Sequence, residues 1–501
     1  MRRMRMNRRS LMLVIACLML YLSGSLEAAT MGNASKEIEQ YVESMVEEAN
    51  LPGVLVTIVK DGEEPVFIKK GYQNIKNEEL VKEDTRFEMG SNSKAFTGLG
   101  LLYLVEQGKI SLDDPVKQYL PWFQLCYNGE EQEVFVKDLL YQTTGVSSST
   151  IGLIQPDKSE DALLSVVKEL VKHETVSKAG ESFLYATINY DCVGLLVETV
   201  TGESYEKFIN ETLLPRYGLN NTYAGKKEVG EDKLAATGYK LGLFGNTEYQ
   251  APIYRGNTPA GYVVTNGNDM AKWLKLQLEA AMRKDTSDEV IAKSQIPDTR
   301  VKPSKVGPYS KAFRYSAGWL VFDNGVISHG GDNPDFSSYL LIDGKHGYAV
   351  GVLCNRDTSY TYGIAKGISD MLLGNEPAKA PADLFMEIIT ISRIGLVVVS
   401  ALLIGAVLLL IQKCICIRKN QYCVIQLAGK NKKKLIVCVV VMLLVIGIPA
   451  GFTWWSMYSL AFLSVWAPAC MMVLLGELVL LFVVGMVNRM IHVILPKGDA
   501  L

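Results

Sequence analysis

The chain has 501 residues, 51 of them lysine or arginine against 53 aspartate or glutamate, and 49% of it is hydrophobic. That length allows two or three domains, and a net charge of −2 gives no whole-chain basis for nucleic-acid binding. The apolar residues are uneven, with the last quarter far richer in them than the rest.

The N terminus reads as a secretion signal. Arg2, Arg3, Arg5, Arg8 and Arg9 precede an apolar core from Leu11 to Leu22, and the small residues of Ser23 to Ala29 place cleavage after Ala28 or Ala29. An uncleaved anchor is the alternative, but a core of about a dozen residues is short for a span. Residues 1–29 are therefore expected as a signal peptide and 30–375 as one exported domain. Gly53 to Lys60, the Asp61-Gly62 turn and Pro65 to Gly71 predict a hairpin.

Next comes Phe87-Glu88-Met89-Gly90-Ser91-Asn92-Ser93-Lys94, followed by Ala95, Phe96, Leu99, Leu102, Leu104 and Val105 at helical spacing and a stop at Gln107-Gly108-Lys109. Ser91 and Lys94 lie three residues apart, on one helical face. The amine can take the hydroxyl proton, and a helix start supplies free N–H groups for developing negative charge. Ser-x-x-Lys alone is weak, since Ser165–Lys168 and Ser204–Lys207 repeat it. The first of these lies within a helical run from Asp161 to His173, and Ser204 reads as an N-cap. Only Ser91 follows a glycine that permits a tight turn and opens a long apolar helix. The plainer alternative is that Ser91 merely caps that helix.

Helical patterning continues to about Glu279. Within it, Tyr185-Ala186-Thr187-Ile188-Asn189 precedes a helical run, so the Tyr185 phenol sits in a loop where it can face a cleft; Tyr190 reads as a packed aromatic. Strand signals return at Ser316 to Asp323, Gly325 to His329, Ser337 to Ile342 and Tyr348 to Cys354. Strands at both ends with helices between predict an α+β fold: an antiparallel sheet completed by both chain ends, with an inserted helical region. His329-Gly330-Gly331-Asp332 ends one of these strands, and two glycines let a substrate backbone approach. The N–H after Gly331 and that of Ser91 are candidate oxyanion donors. His173, His346 and His492 carry no such context.

Gly374 to Pro381 opens a linker expected over 376–390, followed by a membrane region over 391–501 with about three spans: Ile394 to Ile411, Leu435 to Thr453, and Ser459 to Val487, the last holding Pro468 and Glu477. Between the first two, Lys413, Arg418, Lys419, Lys430, Lys432, Lys433 and Lys434 stand without an acid, which the positive-inside rule assigns to the cytoplasm. The middle domain is then extracytoplasmic. Trp454 and Trp455 fall at the outer interface. Glu477 is read as a helix-packing residue before a transport residue. Nine cysteines give no disulfide framework, and Cys414-x-Cys416 lacks partners for a metal.

Taken in order, Ser91-x-x-Lys94, Tyr185-x-Thr187 and His329-x-Gly331 resemble the motifs of the serine β-lactamase and penicillin-binding-protein superfamily. Asp138 to Gly145, Val200 to Tyr205, Pro259-Ala260-Gly261 with Asp269 to Trp273, and Phe336-Ser337-Ser338 extend the likeness over roughly residues 35 to 373. The chain is most similar to the class C-related branch, which includes esterases, D-aminopeptidases and carboxypeptidases. The resemblance implies catalytic roles for Ser91, Lys94, Tyr185 and His329, and a substrate surface at Thr187, Asn189, Gly330, Gly331 and Asp332, with no metal or other cofactor. It departs from the pattern twice. Thr187 replaces the usual asparagine, with Asn189 two residues on, and His329 replaces a lysine that would carry a fixed positive charge. Both departures argue against an efficient β-lactamase. The expected activity is a membrane-anchored serine hydrolase acting on an ester, D-amino-acid peptide or cell-wall-type amide; the alternative is a catalytically weak recognition or sensor protein. The expected partners are a small-molecule or peptide substrate and the lipid bilayer, with no nucleic acid; the oligomeric state is left open.

Overall fold

The computed structural model describes residues 36–228, 230–285, 287–305, 311–377, 379, 383–419, 430–456 and 458–494. The expected signal peptide lies outside them. An eight-stranded antiparallel sheet is built from both ends of the hydrolase-like region. In spatial order its strands are Phe313–Tyr315, Leu320–Phe322, Val326–Asn333, Phe336–Asp343, Tyr348–Cys354, Gly53–Lys60, Val66–Asn74 and Glu79–Leu80. The N-terminal hairpin thus joins the C-terminal strands through Gly53–Lys60, with Val54 opposite Cys354 and Val56 opposite Val352.

That central strand is apolar on both faces because both are covered. Val54, Val56 and Ile58 pack toward the helices 36–48 and Tyr360–Leu372. Leu55 and Val59 point the other way, into the large core that includes helices Ser93–Glu106, Ile188–Thr201 and Gly267–Ala281. Strand alternation divides one apolar run between two cores. The expected α+β arrangement with a helical insertion is what the fold has. Among its described residues the insertion also holds three small sheets that the helical patterning concealed. One of them pairs Phe87–Glu88 and Tyr223–Ala224 with Val263–Thr265.

Two strand readings need correction. The run from Ser316 to Asp323 is a turn followed by the strand Leu320–Phe322, with a separate strand ahead of it. His329 does not end its strand. The ladder runs on to Asn333, pairing Gly330 with Tyr339 and Gly331 with Ser338. The neighbouring strand Phe336–Asp343 supplies hydrogen bonds that carry the two glycines through.

Beyond residue 383 the elements among the described residues are helices: Leu384–Arg418, Lys430–Ser456, Leu460–Trp466 and Ala469–Ile494. The first therefore begins within the expected linker. Met386–Arg418 and Ala469–Ile494 are long and apolar enough to cross a membrane, with mean hydropathies of 3.1 and 2.6. The expected span from Leu435 to Thr453 lies in Lys430–Ser456. The last expected span is broken: Ala467 is extended, at ψ 152°, because Pro468 disfavours helix in the residue before it. Ser400 Oγ donates to both Glu477 carboxylate oxygens at 3.0 and 2.9 Å, and Asn488 Nδ2 donates to Ala406 O at 3.0 Å. Glu477 thus ties one long helix to the other, as a packing residue would.

Candidate active site

The strand Phe87–Glu88 leads into the turn that carries the serine. Met89 N donates to Val263 O at 2.9 Å, and Gly90 then takes φ +52°, a left-handed conformation that favours glycine. Ser91 follows in a single 3₁₀ turn, Gly90–Asn92, which runs into the helix Ser93–Glu106. The turn is pinned from beneath. Asn92 Nδ2 donates to Ser338 Oγ at 2.8 Å, Ser338 Oγ donates to Met89 O at 2.6 Å, and Ser93 Oγ accepts from Val263 N at 2.8 Å.

Lys94 Nζ lies 3.0 Å from Ser91 Oγ and donates to Ala260 O at 2.8 Å. Its side chain is fully buried. Burial pushes the amine down to about 7, against the opposing pull of Asp191 and Asp332. The mechanism is the loss of water around a cation. Lys94 Nζ also sits over the Tyr185 ring, 5.3 Å from its centroid, and 6.0 Å from that of Tyr190.

Tyr185 precedes the helix Ile188–Thr201, with Thr187 half-buried at its cap. The Tyr185 ring lies 5.9 Å from the His329 ring and 6.1 Å from the Tyr315 ring, centroid to centroid. His329 Nδ1–H donates to Gly330 O at 2.6 Å, which leaves Nε2 as the lone-pair nitrogen, 3.5 Å from Tyr315 Oη. Burial, and then the neighbouring Lys94 charge, push the imidazole down to about 3, so His329 is neutral at pH 7.

Gly331 lies directly against the serine turn. A methyl group there would stand 2.0 Å from Met89 O, 2.7 Å from Ser338 Oγ and 3.0 Å from Ser91 N. From the other side, a methyl group on Gly90 would stand 2.5 Å from Asp332 N. The Ser91 N–H and the Gly331–Asp332 peptide are therefore neighbours, with no room for a side chain between them. The Asp332 side chain is exposed.

The structure brings Ser91, Lys94, Tyr185, His329, Gly331 and Asp332 together. Asn189 is placed elsewhere. It is fully buried, its Nδ2 donating to Gln142 Oε1 at 2.8 Å and its Oδ1 accepting from Thr144 Oγ1 at 2.9 Å. Tyr190 is a packed aromatic, as expected, with its hydroxyl donating to Leu140 O at 2.9 Å.

Some residues around the site have no signal in the sequence as read. Asp191 is buried, and burial holds its carboxyl well above the usual range against the opposing effect of Lys94. The Asn257 amide, turned to its better hydrogen-bonding orientation, donates to both Asp191 oxygens at 3.1 Å. Asp191 stands near the Tyr-x-Thr motif and Ala260 within the Pro259-Ala260-Gly261 match, but no role follows from either position, and Tyr315 has no signal at all.

A serine and an adjacent buried lysine at the start of a helix, beside an antiparallel sheet built from both ends of the same region, fit the serine β-lactamase and penicillin-binding-protein superfamily. Residues 38–373 match the family described as Beta-lactamase, and the chain belongs to that family. It is 28% identical over 347 residues to protein flp of Staphylococcus aureus strain N315, a match covering 69% of this chain and 68% of that one. It is 23% identical over 369 residues to penicillin-binding protein 4* of Bacillus subtilis strain 168, covering 70% and 79%. Among solved structures it is similar to an octameric penicillin-binding protein homologue from Pyrococcus abyssi, with TM-score 0.60, 27% identity and coverage of 72% and 81%. The fold is shared with EstCE1, a hydrolase with promiscuous acyltransferase activity, at TM-score 0.56 and 19% identity, covering 65% of this chain and 94% of that one.

Proposed function

We propose that this chain is a membrane-anchored, extracytoplasmic serine hydrolase that forms an acyl-enzyme on Ser91 from an ester, a D-amino-acid peptide or a cell-wall-type amide. The observation that carries this reading is the 3.0 Å approach of Lys94 Nζ to Ser91 Oγ, with the amine pushed down to about 7. A neutral amine takes the Ser91 proton as Oγ attacks the carbonyl carbon. The Ser91 and Asp332 N–H groups receive the oxyanion, a contribution of about 3 kcal/mol for one such donor. Tyr185, beside Lys94, passes the proton to the leaving group, and water then cleaves the acyl-enzyme ester. Neutral His329 gives a substrate carboxylate no fixed charge, which favours esters and peptides over efficient β-lactam hydrolysis. The two long apolar helices and the lysine-rich segment between them support the anchor and the side on which the domain lies.

The test is mass spectrometry of the full chain in detergent after exposure to a fluorophosphonate and to ester, D-alanyl-peptide and β-lactam panels. An adduct on Ser91 that is lost in Ser91→Ala is expected. A folded protein that forms none with any of these would overturn the reading. One observation favours a second reading, a catalytically weak recognition protein. Asn189 is held by Gln142 and Thr144, and the third position of the tyrosine motif is Thr187, so the amide expected to grip an acylamino group is missing from that position. A Ser91→Ala protein that keeps its full biological effect would select that reading.

A further inference from the structure

The hairpin formed by Tyr239–Gly242 and Gly245–Glu248 closes through Leu243 and Phe244, since Gly242 pairs with Gly245. Hairpin turns ordinarily carry glycine, asparagine or aspartate. Here Phe244 is 98% exposed and Leu243 40% exposed.

The hairpin is firmly mounted. Tyr239 N donates to Asn355 O at 2.9 Å, Asn246 Nδ2 donates to Asn50 O at 2.8 Å, and Asn246 Oδ1 accepts from Arg356 Nη1 at 2.8 Å. Its other side meets the apolar helices. Leu241 packs on the cluster of Ile389, Leu396 and Cys470. Arg393 donates to Gly242 O, and Lys240 donates to Val465 O.

Arg393 is the last charged residue before the uncharged run Ile394 to Ile411. The Gly242 carbonyl therefore sits where the helix changes from polar to apolar. Tyr458, Phe462 and Trp466 form a ladder just ahead of the second long helix, with ring centroids 5.1 and 5.7 Å apart. Aromatic residues gather at this depth, at the edge of a bilayer.

We infer that the hairpin is a membrane-docking element whose tip, Leu243-Phe244, enters the lipid leaflet on the hydrolase side. The inference rests on the membrane-anchored reading above. Its occupant is acyl chain rather than protein, because the tip adjoins the polar-to-apolar boundary of a helix that itself exposes Ile394 and Val397 at 63% and 73%.

The test uses the full chain in nanodiscs of phosphatidylethanolamine and phosphatidylglycerol holding one copy each. An environment-sensitive fluorescent amino acid is placed at position 244, at 398 within the helix, or at 176 on the domain surface, in three separate proteins. Nitroxide-bearing lipids and aqueous iodide serve as quenchers. Position 244 is expected to be quenched by the nitroxide lipids, and several-fold less by iodide than position 176. Iodide quenching at 244 equal to that at 176, with 398 still quenched by lipid, would overturn the docking role and leave the anchor standing. Protection of 244 from both quenchers would mean burial against protein and would also overturn it. Iodide access to 398 would remove the anchor itself.

Discussion

The depressed Lys94 amine makes the pH dependence of Ser91 acylation quantitative. On the proposed mechanism the base is the neutral amine, so the rate rises with pH and levels off above the folded-state value of about 7. Only about a tenth of Lys94 is neutral at pH 6, about half at pH 7 and about nine-tenths at pH 8. The acylation rate is therefore expected to climb roughly tenfold from pH 6 to a plateau near pH 8. A lysine at its ordinary value of 10.5 would give about tenfold per pH unit through pH 9, with no plateau. Burial is the largest cause of the shift, and Asp191 and Asp332 oppose it. Asp191→Asn, whose amide oxygen can still accept from Asn257, should thus move the midpoint downward. Rapid-quench labelling of the full chain with a neutral fluorophosphonate, from pH 5.5 to 9.5, reads this directly. His329 stays neutral throughout that window and adds no second limb. A log-linear rise through pH 9, or a flat profile, would refute the assignment of Lys94 as the base.

Three further outcomes follow from the geometry. Gly331→Ala places a methyl group 2.0 Å from Met89 O and should lower Ser91 labelling by about 100-fold or more through displacement of the serine turn; a thermal melt alongside separates displacement from unfolding. Asn189→Ala removes two buried hydrogen bonds and should cost about 2 kcal/mol in denaturant unfolding. Were Asn189 a substrate ligand instead, KM would rise with stability unchanged. Ser400→Ala deprives Glu477 of its partner and should weaken the helix pair by about 1 kcal/mol; a lower thermal midpoint of the reconstituted protein, with unchanged Ser91 labelling, is the expected reading.

Much of this architecture could be read in advance, for physical reasons that differ from residue to residue. The two-ended sheet was legible because Gly53 to Lys60 and Tyr348 to Cys354 are short apolar runs bounded by turns. The Ser91–Lys94 pair was legible because helical spacing is a local property. Tyr185 and His329 could be connected to it only by resemblance, since no local rule links residues so far apart in sequence. Ala260 O accepts a hydrogen bond from Lys94 across 166 residues, and a backbone carbonyl has no side-chain signature. The Gly330-Gly331 pair misled in the other direction. Glycines weaken a strand in isolation, but here the neighbouring strand pairs with them and the tight approach of Ser91 requires them. Pro468 was visible in the sequence, and its effect on Ala467 is local.

Thr358 Oγ1 donates to Asp383 at 2.7 Å, immediately before the first long helix, so that helix leaves the domain already fastened to it. A head on a slack cord would sweep a hemisphere and crop whatever grew within reach. With the bonds at Asp383, Arg393 and Lys240 it behaves instead as a tool bolted to its bench. For a body of this size the radius of gyration is about 20 Å. On the anchored reading, the working zone is a shell of that order above the lipid, and molecules must travel to the enzyme.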